Sequence, residues 1–228
     1  MTHKNPSRRS LAVALAAAVA ASIAAAGCSA TAIVRPLPRG TSAWTASVGG
    51  PWVPSSVPTL VVPYVTVGWQ RGVSDDLTIG GAVHATMAAF GVAGVDISAT
   101  RRLVPQSGAW PELVATLRGT VFTNGSASGT RAYPSLGVVG SWAAGPRTLW
   151  YVGTDAMAQA GATPSVLLAP LAGVQRRVGS RAELQLEAKW MAANVDTRRG
   201  VFEGESAIGG HGALAVQLGL VLHRGGSR

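Results

Sequence analysis

The sequence carries little charge and, beyond its first 27 residues, has no long apolar run. Asp, Glu, Lys and Arg make up 13% of the 228 residues, against about 25% in ordinary soluble domains. A spanning helix needs roughly 20 consecutive apolar residues, and no such stretch follows residue 27. A chain that is poor in charge and lacks spanning helices is typical of a transmembrane β-barrel, the other structure that satisfies every backbone polar group in lipid.

Cysteine is equally scarce. Cys28 is the only one, which excludes an intrachain disulfide. No histidine or carboxylate cluster has the spacing of metal ligands, and no sequence motif predicts a cofactor. The formal net charge of +9 falls to +6 when residues 1–27, with three basic and no acidic groups, are removed. The remaining arginines are scattered, so we expect contact with anionic lipid headgroups rather than with nucleic acid.

Residues 1–27 have the features of a secretory signal peptide. A basic start is followed by the uncharged run Leu11 to Ala26, which is too short to span a membrane. The run ends in Ala25-Ala26-Gly27-Cys28, which resembles a bacterial lipobox and implies cleavage before Cys28 and a covalent lipid on its sulfur. Two alternatives are an ordinary signal peptide with a cysteine nearby by chance, and a twin-arginine signal at Arg8-Arg9, which would argue against a barrel because that route exports folded proteins.

From about Ser42 onward, apolar and polar residues alternate in stretches of about ten residues, as in β-strands with one apolar and one polar face. The clearest is "RAELQLEAKW", where Leu184, Leu186, Ala188 and Trp190 share one parity. The pattern predicts ten strands, at Ser42–Gly49, Leu60–Arg71, Leu77–Met87, Val92–Arg102, Glu112–Phe122, Tyr133–Ala143, Thr148–Ala158, Ser165–Gln175, Arg181–Trp190 and His211–His223. In the eighth strand, Pro170 predicts a bulge, since a barrel has no edge strand to accept a proline.

The connections between these strands differ in length on the two sides of the predicted sheet. The turns on the side of the chain termini are mostly short, whereas the last connection on the other side, Asn194 to Ile208, is the longest and is charged. Short periplasmic turns and longer outer loops are the rule in outer-membrane barrels. Aromatic residues near the strand ends predict two girdles at the membrane interfaces, with Trp44, Trp69, Trp142 and Trp150 below and Tyr64, Tyr133 and Trp190 above.

The lipobox, the short tether and the alternating hairpins together resemble small bacterial outer-membrane β-barrel proteins. The resemblance implies an all-β fold, a transmembrane antiparallel up-and-down β-barrel of about ten strands, with eight or twelve as alternatives. Three regions are expected: a signal peptide at 1–27, a lipidated tether at 28–41 and the barrel at 42–228. The expected location is the outer membrane of a Gram-negative bacterium, anchored by lipid from the periplasmic side and in contact with outer-leaflet lipopolysaccharide.

With the apolar faces toward lipid, the polar parity falls in the lumen. The predicted lumen residues are Gln70, His84, Asp96, Arg118, Glu183, Glu187 and Lys189. Because a barrel of this size is narrow enough to be filled by side chains, and because buried charges need partners, we expect a plugged lumen. The protein would then have a structural or surface-interaction role, with the outer loops facing a partner protein that the sequence does not identify. The alternative is a narrow pore for small solutes.

A lipid-modifying enzyme is a second alternative. Outer-membrane lipid A deacylases use a histidine with a hydroxyl and a carboxylate, and His84, Thr86 and Asp96 are weak candidates for such a set. A nucleophile needs a base within hydrogen-bond reach, however, and residues two apart on a strand are separated by about 7 Å. We therefore expect no enzymatic activity.

Overall fold

The structure, a computed structural model, describes residues 30–53, 60–61, 64–126, 129–159, 165–196 and 210–224. Strands dominate these ranges. They are β1 Ser42–Val53, β2 Leu60–Val61, β3 Tyr64–Ser74, β4 Leu77–His84, β5 Ala93–Val104, β6 Glu112–Thr123, β7 Arg131–Ala143, β8 Thr148–Gln159, β9 Ser165–Val178, β10 Ala182–Asp196 and β11 His211–Arg224, with one helix, α1 Ala85–Ala89. No helix in the described residues is both long enough and apolar enough to cross a membrane.

Ten of the strands described form a closed ring. Each long strand pairs antiparallel with its neighbour in sequence, and β1 pairs with β11 as well as with β3. Ser42 lies opposite Arg224 in the closing pair, so both ends of the ring's chain lie at one end of the cylinder, called the lower end below. The predicted ten-stranded antiparallel up-and-down barrel is confirmed.

The alternation of side chains settles which face of each strand points inward. In β10, Leu184 and Leu186 are about half exposed on the outer wall, whereas Glu183, Glu187 and Lys189 are buried inside. The same parity holds on β11, where Val216, Leu218 and Leu222 are exposed and Gln217 is buried. Apolar side chains that are exposed around a cylinder with a polar interior match the pattern of a transmembrane barrel and reverse that of a soluble protein.

Several predicted boundaries change in the structure. The first strand continues to Val53 instead of ending at Gly49, and the second begins at Tyr64, because Leu60–Val61 pairs separately with the end of β1. The third strand ends at His84, since Ala85–Ala89 turns into a short helix at the upper rim. That stretch, Ala-Thr-Met-Ala-Ala, is rich in residues with good helix propensity.

The bulge predicted at Pro170 is absent. The register between β8 and β9 runs without a shift from Ser165 to Arg176, and the pairing of β9 with β10 ends at Leu171. Pro170 therefore lies next to the end of a ladder, where a strand tolerates a residue without an N–H group. Beyond that point the Asn194 side chain accepts a hydrogen bond from Leu168 N (2.9 Å) and donates one to Val166 O (2.7 Å).

Candidate functional site: the barrel lumen

The lower lumen is occupied by the chain's own N-terminal segment, residues 30–38, called the plug segment below. Its backbone bonds to inward side chains of the wall at three points. Ala32 N donates to Glu187 Oε2 (2.9 Å), Gln185 Nε2 donates to Ala32 O (2.9 Å), and Leu37 N donates to Thr78 Oγ1 (2.7 Å). The segment predicted as a tether at 28–41 is thus described from Ala30 onward, and most of it lies inside the barrel.

Val34 anchors the plug segment by apolar packing. It is 2% exposed and lies in the one cluster of buried apolar side chains among the described residues, with Val114, Val139, Tyr151 and Leu171. These wall residues come from four consecutive strands, β6 to β9. Burying a valine side chain stabilises the folded state by roughly 1.5–3 kcal/mol. This contact therefore holds the plug segment at its height in the lumen.

Arg35 adds a charged contact at the lower end. Its guanidinium donates to Ser141 Oγ (3.1 Å) and to Gln106 Oε1 (2.7 Å), and it lies 3.6 Å from the Glu112 carboxylate. Glu112 is itself buried, and a buried carboxylate needs a partner of this kind. The positive charge of Arg35 on the plug segment therefore balances the buried negative charge of Glu112 in the wall.

Above the plug segment, a charged cluster fills the middle of the lumen. The Lys189 ammonium is completely buried and lies 3.0 Å from Asp155 Oδ2 and 3.3 Å from Glu187 Oε1. Tyr151 donates its hydroxyl proton to Glu187 Oε2 (3.1 Å). Arg118 interacts electrostatically with Asp155 on one side and with Asp96 on the other, so it links this cluster to the next.

A histidine cluster lies in the lumen near the upper end. His84 Nε2 lies 2.9 Å from Asp96 Oδ1, and its Nδ1 is hydrogen-bonded to the Tyr64 hydroxyl. If Nε2 carries the proton that Asp96 accepts, Nδ1 accepts the Tyr64 proton. The ring of Phe122 packs edge-on against the His84 imidazole at a centroid distance of 4.9 Å, and the Tyr133 ring packs edge-on against Phe122 at 6.1 Å. The imidazole is thus hydrogen-bonded to Tyr64 through Nδ1, and its Nε2 lies beside the Asp96 carboxylate.

The lower mouth has its own polar group around Glu183. Its carboxylate lies 3.2 Å from His223 Nε2 and 3.6 Å from Arg177 Nε, and it accepts a hydrogen bond from Gln175. A cavity of about 300 Å³ opens beside it at the mouth. A second cavity, of about 70 Å³, lies between the plug segment and the wall, room for a few water molecules.

The structure places the seven predicted lumen residues inside the barrel and sorts them into separate groups. His84, Asp96 and Arg118 belong to the upper half, Glu187 and Lys189 to the middle, and Glu183 to the lower mouth. Gln70 faces the small cavity beside the plug segment. Three lumen residues that share the inward parity were missed, although that parity was a usable signal: Glu112, Tyr151 and Asp155.

Two predicted interface aromatics are corrected. Tyr64 and Tyr133 are buried in the upper lumen instead of facing lipid. Both have the inward parity of their strands, and the Tyr64 hydroxyl finds a buried partner in His84. The tryptophans lie on the outer wall: Trp44 is directly opposite Trp69, and Trp142 is directly opposite Trp150, all near the lower end. Trp190 lies near the upper end and donates to His211 O (2.8 Å).

The weak catalytic candidates are held in structural contacts. His84 and Asp96 pair with each other in the closed upper cluster, and the Thr86 hydroxyl on α1 accepts a hydrogen bond from Val65 N (2.9 Å). Among the residues that the structure describes, no three histidine, cysteine or acidic side chains are grouped so as to hold a metal ion. Cys28, the predicted lipidation site, lies outside the described residues.

Comparison with solved structures bears on the fold. The COG4313 outer membrane channel from Pseudomonas putida F1 superposes with a TM-score of 0.50 at 11% identity, covering 86% of this chain and all of the channel. The fold is that of a bacterial outer-membrane β-barrel. The translocator domain of the autotransporter NalP from Neisseria meningitidis gives a TM-score of 0.45 at 9% identity, covering 94% of this chain and 97% of the domain. No protein-family model matches this chain, and no curated protein sequence matches it either.

Proposed function

We propose that this protein is a lipid-anchored barrel of the bacterial outer membrane with a structural or surface-interaction role and a lumen closed to solutes. The observation that carries the proposal is the filling of the lumen. The plug segment occupies the lower part, and paired side chains around Lys189 and His84 occupy the rest. A solute would have to break buried ion pairs to pass, and leaving a buried charge without its partner is costly.

Closure predicts the electrical behaviour of the barrel. The purified protein reconstituted in planar lipid bilayers is expected to give no steady current, because both the plug segment and the charged clusters obstruct the lumen. A known open porin reconstituted in the same way is the positive control. Reproducible single-channel steps from this protein would overturn the proposal of a closed lumen.

A solute pore is the second candidate, and one observation favours it. The plug segment is a continuous stretch that enters from the lower mouth, where a cavity of about 300 Å³ already opens, so its withdrawal would empty part of the lumen without unfolding the wall. The similar structure from Pseudomonas putida F1 is described as a channel. If the protein is a pore, deleting residues 30–38 yields measurable conductance. If the histidine cluster still obstructs the upper lumen, the deletion variant conducts no current.

The packing of Val34 gives a separate prediction about the plug segment. Val34→Asp is expected to expel the segment from the lumen, because a carboxylate at this apolar position would be buried without a partner. Hydrogen exchange followed by mass spectrometry should then show faster exchange in residues 30–38. Arg39→Asp, at an exposed residue of the same stretch, is the control and should leave that exchange slow; equal exchange in both variants would contradict the prediction.

A further inference from the structure

Three polar residues lie side by side on the outer wall at the lower end of the barrel. Ser42, at the start of β1, is directly opposite Arg224 of β11 on one side and Arg71 of β3 on the other. Residues directly opposite each other on neighbouring strands point to the same face of the sheet. Trp44, two residues further along β1, is exposed on the outer wall, so Ser42 and both arginines face outward as well. These three residues are called the arginine row below.

The next outward row indicates the depth of the arginine row in the membrane. Leu222, Trp44 and Trp69 are directly opposite one another in that row, and all three are exposed. Tryptophan side chains on a barrel wall mark the headgroup level of the membrane. The two rows are separated by about 7 Å along the strands, and the headgroup region is about 5–7 Å deep on each side of the bilayer. The arginine row therefore lies where lipid phosphates are found.

The arginine row carries two positive charges with which no described residue pairs. Arg71 and Arg224 are both exposed, and neither guanidinium has a hydrogen bond or an ion pair to another residue in the part of the chain that the structure describes. The acidic residues of the nearest turn are held elsewhere, since Asp75 accepts a hydrogen bond from a backbone N–H group and Asp76 pairs with Arg102. Both guanidiniums are therefore available to an anion from the surroundings.

The spacing of the arginine row fits one phosphate group. Arg71 and Arg224 are two strands apart, about 10 Å between Cα atoms at the usual strand spacing, so each guanidinium has to reach about 5 Å to meet the other above Ser42. An arginine side chain can cover such a distance with its methylene groups along apolar surface, and its planar fork suits phosphate oxygens. The Ser42 hydroxyl between the two arginines can donate a third hydrogen bond.

A second outward row at the lower end differs from the arginine row in one respect. Arg176 of β9 is directly opposite Thr148 of β8, and Trp150 and Trp142 lie opposite each other one outward position higher. This row has the hydroxyl and the tryptophan pair but only one arginine, since Ala144 is the residue bonded to Thr148 on the other side. It therefore provides an internal control for a site that needs two guanidiniums.

We propose that the arginine row binds the phosphate of an anionic phospholipid in the leaflet at the lower end of the barrel, with Arg71 and Arg224 on the phosphate oxygens and the acyl chains against Trp44 and Trp69. A single basic side chain attracts anionic lipid without selecting a position, whereas two guanidiniums that flank a hydroxyl select one phosphate. The site depends on the barrel fold in a membrane and needs neither the lipid anchor nor a closed lumen.

Native mass spectrometry of the purified protein in detergent tests the site. Phosphatidylglycerol and phosphatidylcholine with identical acyl chains are added in turn, and inorganic phosphate is added as a competitor. We expect one saturable phosphatidylglycerol molecule, weaker binding of phosphatidylcholine, and little displacement of the lipid by phosphate. Arg71→Gln combined with Arg224→Gln is expected to weaken phosphatidylglycerol binding about tenfold or more, since losing a single hydrogen bond to a charged group already has about that effect.

Arg101→Gln combined with Arg176→Gln is the matched control, because it removes the same charge from two exposed arginines of the lower end that lie on separate strands and share no row. The control should leave the affinity nearly unchanged. Equal weakening in the two double variants overturns the proposal. Complete displacement of the lipid by phosphate also overturns it, because the arginines would then bind a free anion.

A second pair of variants keeps both arginines in place and decides the matter if the arginine variant does not fold. Ser42→Asp puts a carboxylate between the two guanidiniums and should abolish phosphatidylglycerol binding, whereas Thr148→Asp adds the same charge to the other row and should not. Heat-modifiable migration on a gel checks that each variant is folded. Undiminished binding in folded Ser42→Asp protein would rule out the site.

Discussion

Lys189→Ala is expected to lower the free energy of unfolding by about 3–5 kcal/mol, the usual result of removing one partner from a buried ionic group. The Lys189 ammonium is the shared partner of Asp155 and Glu187, at 3.0 and 3.3 Å, and it is completely buried. Without it, two carboxylates face each other in a lumen that admits little water. Chemical unfolding in lipid vesicles, followed by tryptophan fluorescence, measures the loss.

An exposed ion pair of the same barrel provides the control for this prediction. Arg102, near the lower end of β5, pairs with Asp76 in the turn between β3 and β4, and both side chains are partly exposed. Pairs of this kind contribute about 0–1 kcal/mol, so Arg102→Ala should change stability little. If Lys189→Ala and Arg102→Ala lower the free energy of unfolding by the same amount, the prediction that the ion pairs in the lumen are desolvated is wrong.

Leu186→Arg is expected to have the second-largest effect, about 2–4 kcal/mol against insertion and folding in lipid, because a lipid-facing charge near mid-membrane costs that much. Leu186 is 47% exposed on the outer wall, flanked by Leu184 and Ala188 on the same face and by Leu218 directly across on β11. The measurement is the folded fraction after insertion into vesicles, read as heat-modifiable migration on a gel.

The matched control is the same change near the lower rim. Val178→Arg also adds an outward arginine, but at the last residue of β9, two residues after the outward Arg176. Near the interface such a substitution costs only about 0–1 kcal/mol. Equal loss of folding in both variants would point to a general effect of added charge and would contradict the assignment of Leu186 to the lipid-facing wall.

The wall of the barrel could be predicted from the sequence because its signal is local. Each strand alternates between lipid and lumen, so the parity of Leu184 and Glu187 alone determines which way both point. Where two sequence arguments disagreed, parity was the better one: Tyr64 and Tyr133 have inward parity in their strands, although their height suggested an interface girdle. The physical reason is that a buried phenol needs only one hydrogen-bond partner, and His84 provides it for Tyr64.

The plug segment could not be predicted in the same way. "TAIVRPLPR" has neither the period of a strand nor that of a helix, and its position depends on residues more than 100 positions away, such as Glu187 for Ala32 and Ser141 for Arg35. The short helix α1 was missed for a related reason, since five residues carry too little periodic signal to outweigh the strand before them. Contacts between distant parts of the chain, not local preference, decide both.

The Asn194 side chain has a consequence for the upper rim. Up to Leu171 the wall is a complete circle of paired strands, but above it β8–β9 and β10–β11 are two separate ribbons. Above Leu171 the Asn194 carboxamide of β10 bonds to Leu168 N and Val166 O of β9 and takes the place of a neighbouring strand. At the seam between β9 and β10 the barrel is therefore held by a backbone ladder up to Leu171 and by the Asn194 carboxamide above it, so the rim can widen at this seam without breaking that ladder.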